Sequence, residues 1–245
     1  MRSAIEFSIT SNAAWAPGIE TREAWQDWAL GQPVTRTDSE PALRVMPAMQ
    51  RRRLGLLGKM ALEVAYECLG ERRDIPTLFC SRHGEVSRSV ELLRNLAQGE
   101  PLSPTSFGLS VHNAIGGMFS MARGDKASHI ALSGGHASVE HALIEACGLL
   151  ADGEQAVLLV VYDCPLPAVY ASFQDEDTHP FAWAWLIEPP QQDVIALSWD
   201  APTGTPSGNE MTTTSLEILR FFLRREQSMK RLCGKQSWQW TRHGR

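Results

Sequence analysis

A buried-strand signal, a two-glycine turn and a helix start follow one another in "IALSGGHASVEHAL", Ile130 to Leu143. Enzymes often mount a nucleophile at such a turn, because N–H groups at a helix start lack intrahelical partners and stabilise a developing anion. Here the residue at the tip is His136. Ser133 precedes the glycines and Ser138 follows them, so neither makes a GxSxG elbow. Cys147 lies on nearly the same helix face as His136, but at ~1.5 Å per residue it is roughly 16 Å down the axis. That is too far to share a substrate carbonyl. His112 and Asn113 read as polar partners for buried backbone, and His83, after the strand signal "LFCS", has no assigned role. The chain has no GxGxxG, GxxxxGK[ST] or HExxH. Its seven histidines and five cysteines show no ligand spacing and no CxxC, so neither a metal nor a cofactor is expected.

These residues must be positioned by a sizeable core, which 245 residues can bury in one or two domains. A net charge of −5 gives no global reason to expect nucleic acid. The strongest apolar run, "AVLLVVY", is too short to span a bilayer, and Glu6 interrupts any secretory signal near the start. Odd, scattered cysteines then fit reduced thiols in a cytoplasm. Charge is uneven, however. From Arg220 to Arg245 eight Lys/Arg stand against one acid, Glu226. Such a segment is either a solvated helix face or a docking patch for an acidic partner. Arg224, Arg225, Lys230 and Arg231 are the docking candidates.

Strand and helix patterns alternate along the chain, which predicts an α/β fold. Strands are expected at "SAIEFSIT", "PTLFCS", "SHIALS", "EQAVLLVVYD", "FAWAWLIEP" and "DVIALSWDA". Residues 31–48 read as a long connection, and "MQRRRLGLLGKMALEVAYECLGE" as one amphipathic helix. After His136 a helix carries the apolar stripe Val139, Ala142, Leu143, Ala146 and Leu150. The segment "TPSGNEMT" leads into a last helix, with Thr214 and Glu217 spaced as a capping box. The end, "GKQSWQWTRHGR", reads as a basic tail holding two tryptophans.

Three stretches, "MPAMQRRRLGLLGKMALEVAYECL", "SPTSFGLSVHNAIGGMFSMARG" and "IALSGGHASVEHALIEACGLLADGEQAVLLVVYD", resemble the N-terminal half of β-ketoacyl synthases on the thiolase fold. The resemblance covers roughly residues 1–190. With "WAPG" and the late tryptophans, the chain is most similar to short, chain-length-factor-type ketosynthase partners of aryl polyene, type II polyketide biosynthesis. It implies half of a thiolase-like fold, a mixed sheet with a buried nucleophile-type helix. Residues 1–190 would form the half domain. Residues 191–245 would pack on it as a strand, a basic amphipathic helix and the tryptophan-containing tail.

The resemblance puts His136 at the family's nucleophilic cysteine, and the family's catalytic histidines belong to a C-terminal half that this chain is expected to lack. No catalytic residue is therefore carried over. It implies a non-catalytic cytoplasmic subunit that pairs with a full-length β-ketoacyl synthase, as a heterodimer or higher assembly, in fatty-acid-like elongation of chains on an acyl carrier protein. His112, Asn113, His129, Ile130 and Leu132 are the interface candidates. The partner's strand would pair antiparallel with Ser128–Ser133, and proline at Ile130 is expected to remove an N–H from that ladder. The stripe from Val139 to Leu150 would need a cover, from the last helix and from the partner. Two other readings stay open: a freestanding acyltransferase or thioesterase using Ser138 or His136, and a small-molecule sensor that kept the fold.

Overall fold

The computed structural model describes residues 3–174, 179–201, 214–233 and 235–244. In chain order the elements are β1 (Ser3–Trp15), α1 (Arg22–Ala29), α2 (Ala48–Arg51), α3 (Leu56–Leu69), β2 (Thr77–Cys80), α4 (Val86–Ala97), α5 (Pro104–Gly108), α6 (Ala114–Arg123) and β3 (His129–Leu132). A 3₁₀ turn (Gly135–Ala137) then leads into α7 (Ser138–Ala151). After it come β4 (Val157–Asp163), a 3₁₀ segment (Ala168–Phe173), β5 (Phe181–Glu188), β6 (Asp193–Asp200), α8 (Ser215–Leu223), β7 (Ser228–Cys233) and β8 (Gln236–Gly244).

The strands form one sheet in the order β3-β2-β4-β5-β1-β6-β8-β7. β2 runs parallel to β3 and β4, and the remaining neighbours are antiparallel, so the sheet is mixed as expected. β1 joins its two parts. Ser3–Phe7 pair with β6, and Ser8–Trp15 pair with β5 across an irregularity between Ile9 and Ser11.

Alternation along the central strands builds two cores, because successive side chains of a strand face opposite ways. Leu158, Val160 and Tyr162 of β4 join α3 and α6, whereas Val157, Leu159 and Val161 join α7. β5 puts Ala182 and Ala184 toward α3 and Trp183 and Trp185 toward α7 and α8. Small residues on one face let α3 lie close, and large aromatics on the other fill the wider space beside α7. Burial on both faces explains why these two strands read as nearly unbroken apolar runs.

The structure differs from the sequence expectations in four places. The single helix expected from residue 49 onward is two, α2 and α3, separated at residues 52–55. The capping box does not form, because the Thr214 side chain makes no cap hydrogen bond. Residues 202–213, which hold all of "TPSGNEMT", lie outside the described residues. The basic tail is instead a β-hairpin of β7 and β8, with Trp238 and Trp240 wholly buried. Finally, α7 is largely covered by its own chain. Val139, Ala142, Leu143 and Ala146 are buried in one cluster with Ile218, Leu219 and Phe221 of α8 and with Cys233, Trp238 and Trp240 of the hairpin. Burying a side chain such as Leu143 contributes about 1.5–3 kcal/mol, so this cover matters to stability.

Candidate functional site: the turn before α7

The turn is closed from within. Gly135 takes a left-handed φ of 61°, which an L side chain rarely adopts. The Ser138 hydroxyl donates to the Gly135 carbonyl at 2.7 Å and accepts from the Gly134 N–H at 2.9 Å. Its proton is committed to holding the turn, and the residue is buried. That arrangement does not support Ser138 as a nucleophile. One turn further along, His141 Nδ1 donates to the Ala137 carbonyl at 2.8 Å, and its ring meets the edge of Trp238.

His136 is held at both ends. Its Nε2 lies 3.2 Å from Nη2 of Arg82, a guanidinium nitrogen that can only donate. The His136 carbonyl accepts from Arg231 Nη2 at 3.3 Å and faces the Cys233 thiol at 3.7 Å. Arg231 also pairs with Glu140 in the first turn of α7. Arg231 is 2% exposed and Glu140 0%, so this is a fully desolvated ion pair. It ties β7 to the start of α7.

Arg231 therefore cannot serve as a docking residue, which corrects the sequence expectation. The other cations of that segment are also largely engaged. Arg224 donates to the Ala29 carbonyl, Arg225 pairs with Asp193, and Arg242 is buried against the same Asp193. Arg220 lies over the Trp28 ring, 4.4 Å from its centroid. Lys230 is exposed.

Sequence reasoning missed a second cluster, facing the turn from β2 and β4. Asp163, at the end of β4, accepts from the Ser81 hydroxyl at 2.8 Å and from the backbone N–H groups of Arg82 and His83 at 3.0 and 3.2 Å. Burial pushes its carboxyl up to about 6, against the opposing pull of those donors. His112 Nε2 donates to the Ser81 carbonyl at 3.0 Å, and Ser133 Oγ donates to the Arg82 carbonyl at 3.0 Å. Residues 81–84 are thus pinned from three sides, which fixes where Arg82 meets His136. The available signal was an acidic residue ending an otherwise apolar strand, "LLVVYD".

The cleft between the two clusters holds about 30 Å³ of free space, lined by Arg82, His83, His136, Cys80, Val161 and Phe181 among others. Cys80 brings a thiol to the turn, but it is completely buried and burial raises its pKa well above normal, which suppresses the thiolate. The Cys147 thiol is likewise pushed up to about 12 by burial.

The interface candidates do not all face one way. Ile130 and Leu132 pack at the margin of the α7 core, while the His129 ring lies over Gly116 of α6. Asn113 is exposed at the start of α6, and His112 is half-buried in its bond to Ser81. Backbone hydrogen bonds show which groups of β3 meet the open edge. Thr77 N–H donates to Ser128 O and Ser81 N–H to Leu132 O, so the even-numbered carbonyls face β2. The polar groups of His129 and Ala131 face outward. Proline at Ile130 would therefore damage the chain's own ladder, contrary to expectation.

A strand–turn–helix mount on a single mixed sheet matches a thiolase-like ketosynthase N-terminal domain. The chain belongs to the family of the β-ketoacyl synthase N-terminal domain, whose family model matches residues 25–241. It is similar to a chain in the structure of the ketosynthase ApeO in complex with its chain length factor ApeC from Xenorhabdus doucetiae. Identity is 28%, coverage 97% of this chain and 99% of that one, and the TM-score 0.80. It shares its fold with the ishigamide ketosynthase/chain length factor, at 14% identity, 80% and 67% coverage, and a TM-score of 0.63. A β-ketoacyl synthase from Burkholderia phymatum STM815 matches at 16% identity, 91% and 69% coverage, and a TM-score of 0.61. No curated protein matches the chain. No helix among the described residues is long and apolar enough to cross a membrane.

Proposed function

We propose that this chain is a non-catalytic, chain-length-factor-like subunit that pairs with a full β-ketoacyl synthase elongating carrier-protein-bound acyl chains. The observation that carries the reading is the turn itself. Its tip holds an imidazole bonded to a guanidinium, its hydroxyl closes the backbone, and its nearest thiol is buried. The adjoining space, about 30 Å³, has room for a water rather than for an acyl thioester. Condensation needs a thiolate nucleophile and donors for the enolate and oxyanion, and this site offers no accessible thiolate.

Support for a partner comes from the surface. Among the described residues β3 pairs on one side only, and Leu93, Leu96, Phe107 and Met121 on α4, α5 and α6 and Val111 just before α6 are exposed. Unpaired edges and apolar patches of this kind favour pairing. In this reading the partner's strand runs antiparallel to β3, with His129, Ile130 and Leu132 at the contact and His112 and Asn113 at its margin. The contact would bury about 2,000 Å² or more. The relative at 28% identity was solved as a ketosynthase in complex with its chain length factor, which supports the same kind of pairing.

The finer version of this proposal is a cytoplasmic assembly making aryl polyenes by type II polyketide, fatty-acid-like elongation. Residues 191–245 would complete the unit begun by residues 1–190, and Arg224, Arg225 and Lys230 would attract the acidic carrier protein, an attraction that weakens with added salt. Intact-mass measurement after incubation with acyl- and malonyl-carrier protein tests the central point. No acyl adduct is expected, and a stoichiometric adduct on any residue would overturn the non-catalytic reading.

A further inference from the structure

Residues 81–84, which follow β2, connect two parts of the surface through one buried carboxyl. The Arg82 and His83 N–H groups donate to Asp163 at 3.0 and 3.2 Å, and the Gly84 N–H donates to the Ser81 hydroxyl at 2.7 Å. That hydroxyl itself donates to Asp163 at 2.8 Å. Each amide from Arg82 to Gly84 therefore hangs from Asp163, directly or through Ser81. Contacts then run outward in two directions. Arg82 Nη2 reaches His136 at the turn. Toward the β3 edge, the Ser81 carbonyl accepts from His112 and the Arg82 carbonyl accepts from Ser133, each at 3.0 Å. Gly84 lies so near His112 that a Cβ there would come within 2.8 Å of the imidazole. His112 stands just before α6 and Ser133 just after β3, so the segment holds that edge from two sides.

We propose that residues 81–84 form a proton-operated strap, closed over the neutral Asp163 carboxyl and opened by its ionisation, whose opening releases the His136 turn and the β3 edge together. The sign follows from solvation. Opening lets water reach Asp163 and restores an ordinary aspartate, whereas burial raises the closed one from 3.8 to about 6. The closed form binds the proton more tightly, so it is favoured below pH ~4 and loses ground as pH rises to ~6. The three donors and the Arg82 charge oppose that trend without reversing it. Other ionisable groups stand near. Glu85, ahead of α4, is raised by burial and paired with Arg88, and Glu140 on α7 is paired with Arg231. Cys80, Tyr162 and Cys164 are kept neutral by burial. His83, His112 and His136 border the strap, and imidazole ordinarily titrates near neutrality, so the control must keep all three. The strap itself does not depend on the subunit reading; only the use of the β3 edge for pairing does.

Native-state hydrogen exchange on the full chain, corrected for the chemical rate at each pH, reads the opening at Arg82, His83 and Gly84. From pH ~4 to ~7 the opening equilibrium should rise by about tenfold to a hundredfold and then level off. Asp163→Asn, which keeps Glu85 and every histidine, should flatten that profile. His112→Ala should raise opening about fivefold at neutral pH, the loss of one hydrogen bond. In complex with a ketosynthase the same amides should exchange more slowly, because pairing fixes His112 and Ser133. Exchange independent of pH in the unaltered chain, opening that falls with pH, or an unchanged profile in folded Asp163→Asn would each overturn the strap. A complex that leaves strap exchange unaltered would overturn its coupling to the edge. Failure to form any complex would count against the subunit reading alone, while the pH profile still decides the strap.

Discussion

The buried pair of Glu140 and Arg231 sets up the sharpest test at single residues. Each ion loses its hydration in this interior, and the pair is tolerable because the partners meet and Arg231 also reaches the His136 carbonyl. Removing one partner strands a charge, at a cost of about 3–5 kcal/mol. Arg231→Met and Glu140→Gln should each lower the unfolding free energy by that order, and the double variant Glu140→Leu/Arg231→Met should recover most of the loss. Urea unfolding of the three variants checks this, and additive losses would mean that the two residues act independently. Asp163 gives a pH signature of the opposite sign to an ordinary surface carboxylate. Its folded pKa is raised from 3.8 to about 6, so the folded state binds the proton more tightly than the unfolded state. Its contribution is most favourable below pH ~4 and is lost as pH rises from ~4 to ~6, by an order of 3 kcal/mol. Subtracting the unfolding curve of Asp163→Asn should expose that fall. A difference that rises with pH over the same window would contradict the assignment. Neither residue could be understood locally from the sequence, because Glu140 meets Arg231 across 91 positions and Asp163 meets Ser81 across 82.

Among the elements, legibility followed burial on both faces. β4 and β5 carry dense apolar runs and could be read directly, as could α7 from its stripe. β7 and β8 could not, because "SMKRLC" and "QSWQWTRHG" mix charge with apolar residues and resemble a solvated basic segment. Their period of two was visible in Trp238, Trp240 and Arg242, all buried on one face of β8. The arginine disguised it, since nothing in the local sequence supplied its partner Asp193. For β3 the sequence located the edge but not which backbone groups it offers. Hydrogen bonding to β2 now separates two substitutions. Ala131→Pro removes an outward-facing N–H and should weaken partner pairing while leaving the isolated chain's thermal stability nearly unchanged. Ile130→Pro should destabilise the chain itself by about 3 kcal/mol or more. Melting curves with a pull-down on both variants distinguish them, and equal behaviour would mean that the edge is not used as a ladder.

At the scale of the whole molecule, the hairpin and α8 change what the fold requires. α7 was expected to take its cover partly from the last helix and for the rest from a partner, and Val139, Ala142, Leu143 and Ala146 are buried with the chain's own α8 and hairpin. What remains open is the β3 edge with its neighbouring apolar helices, on the far side of the sheet order from β7. Pairing is thus the natural use of one defined surface, while the turn is filled and closed by internal bonds. Coexpression with a full-length β-ketoacyl synthase from the same organism, followed by size-exclusion chromatography, tests this account most directly. The expected result is a stable complex in which both chains comigrate through successive purification steps. A well-folded chain that elutes as a monomer and never comigrates with the ketosynthase would contradict it.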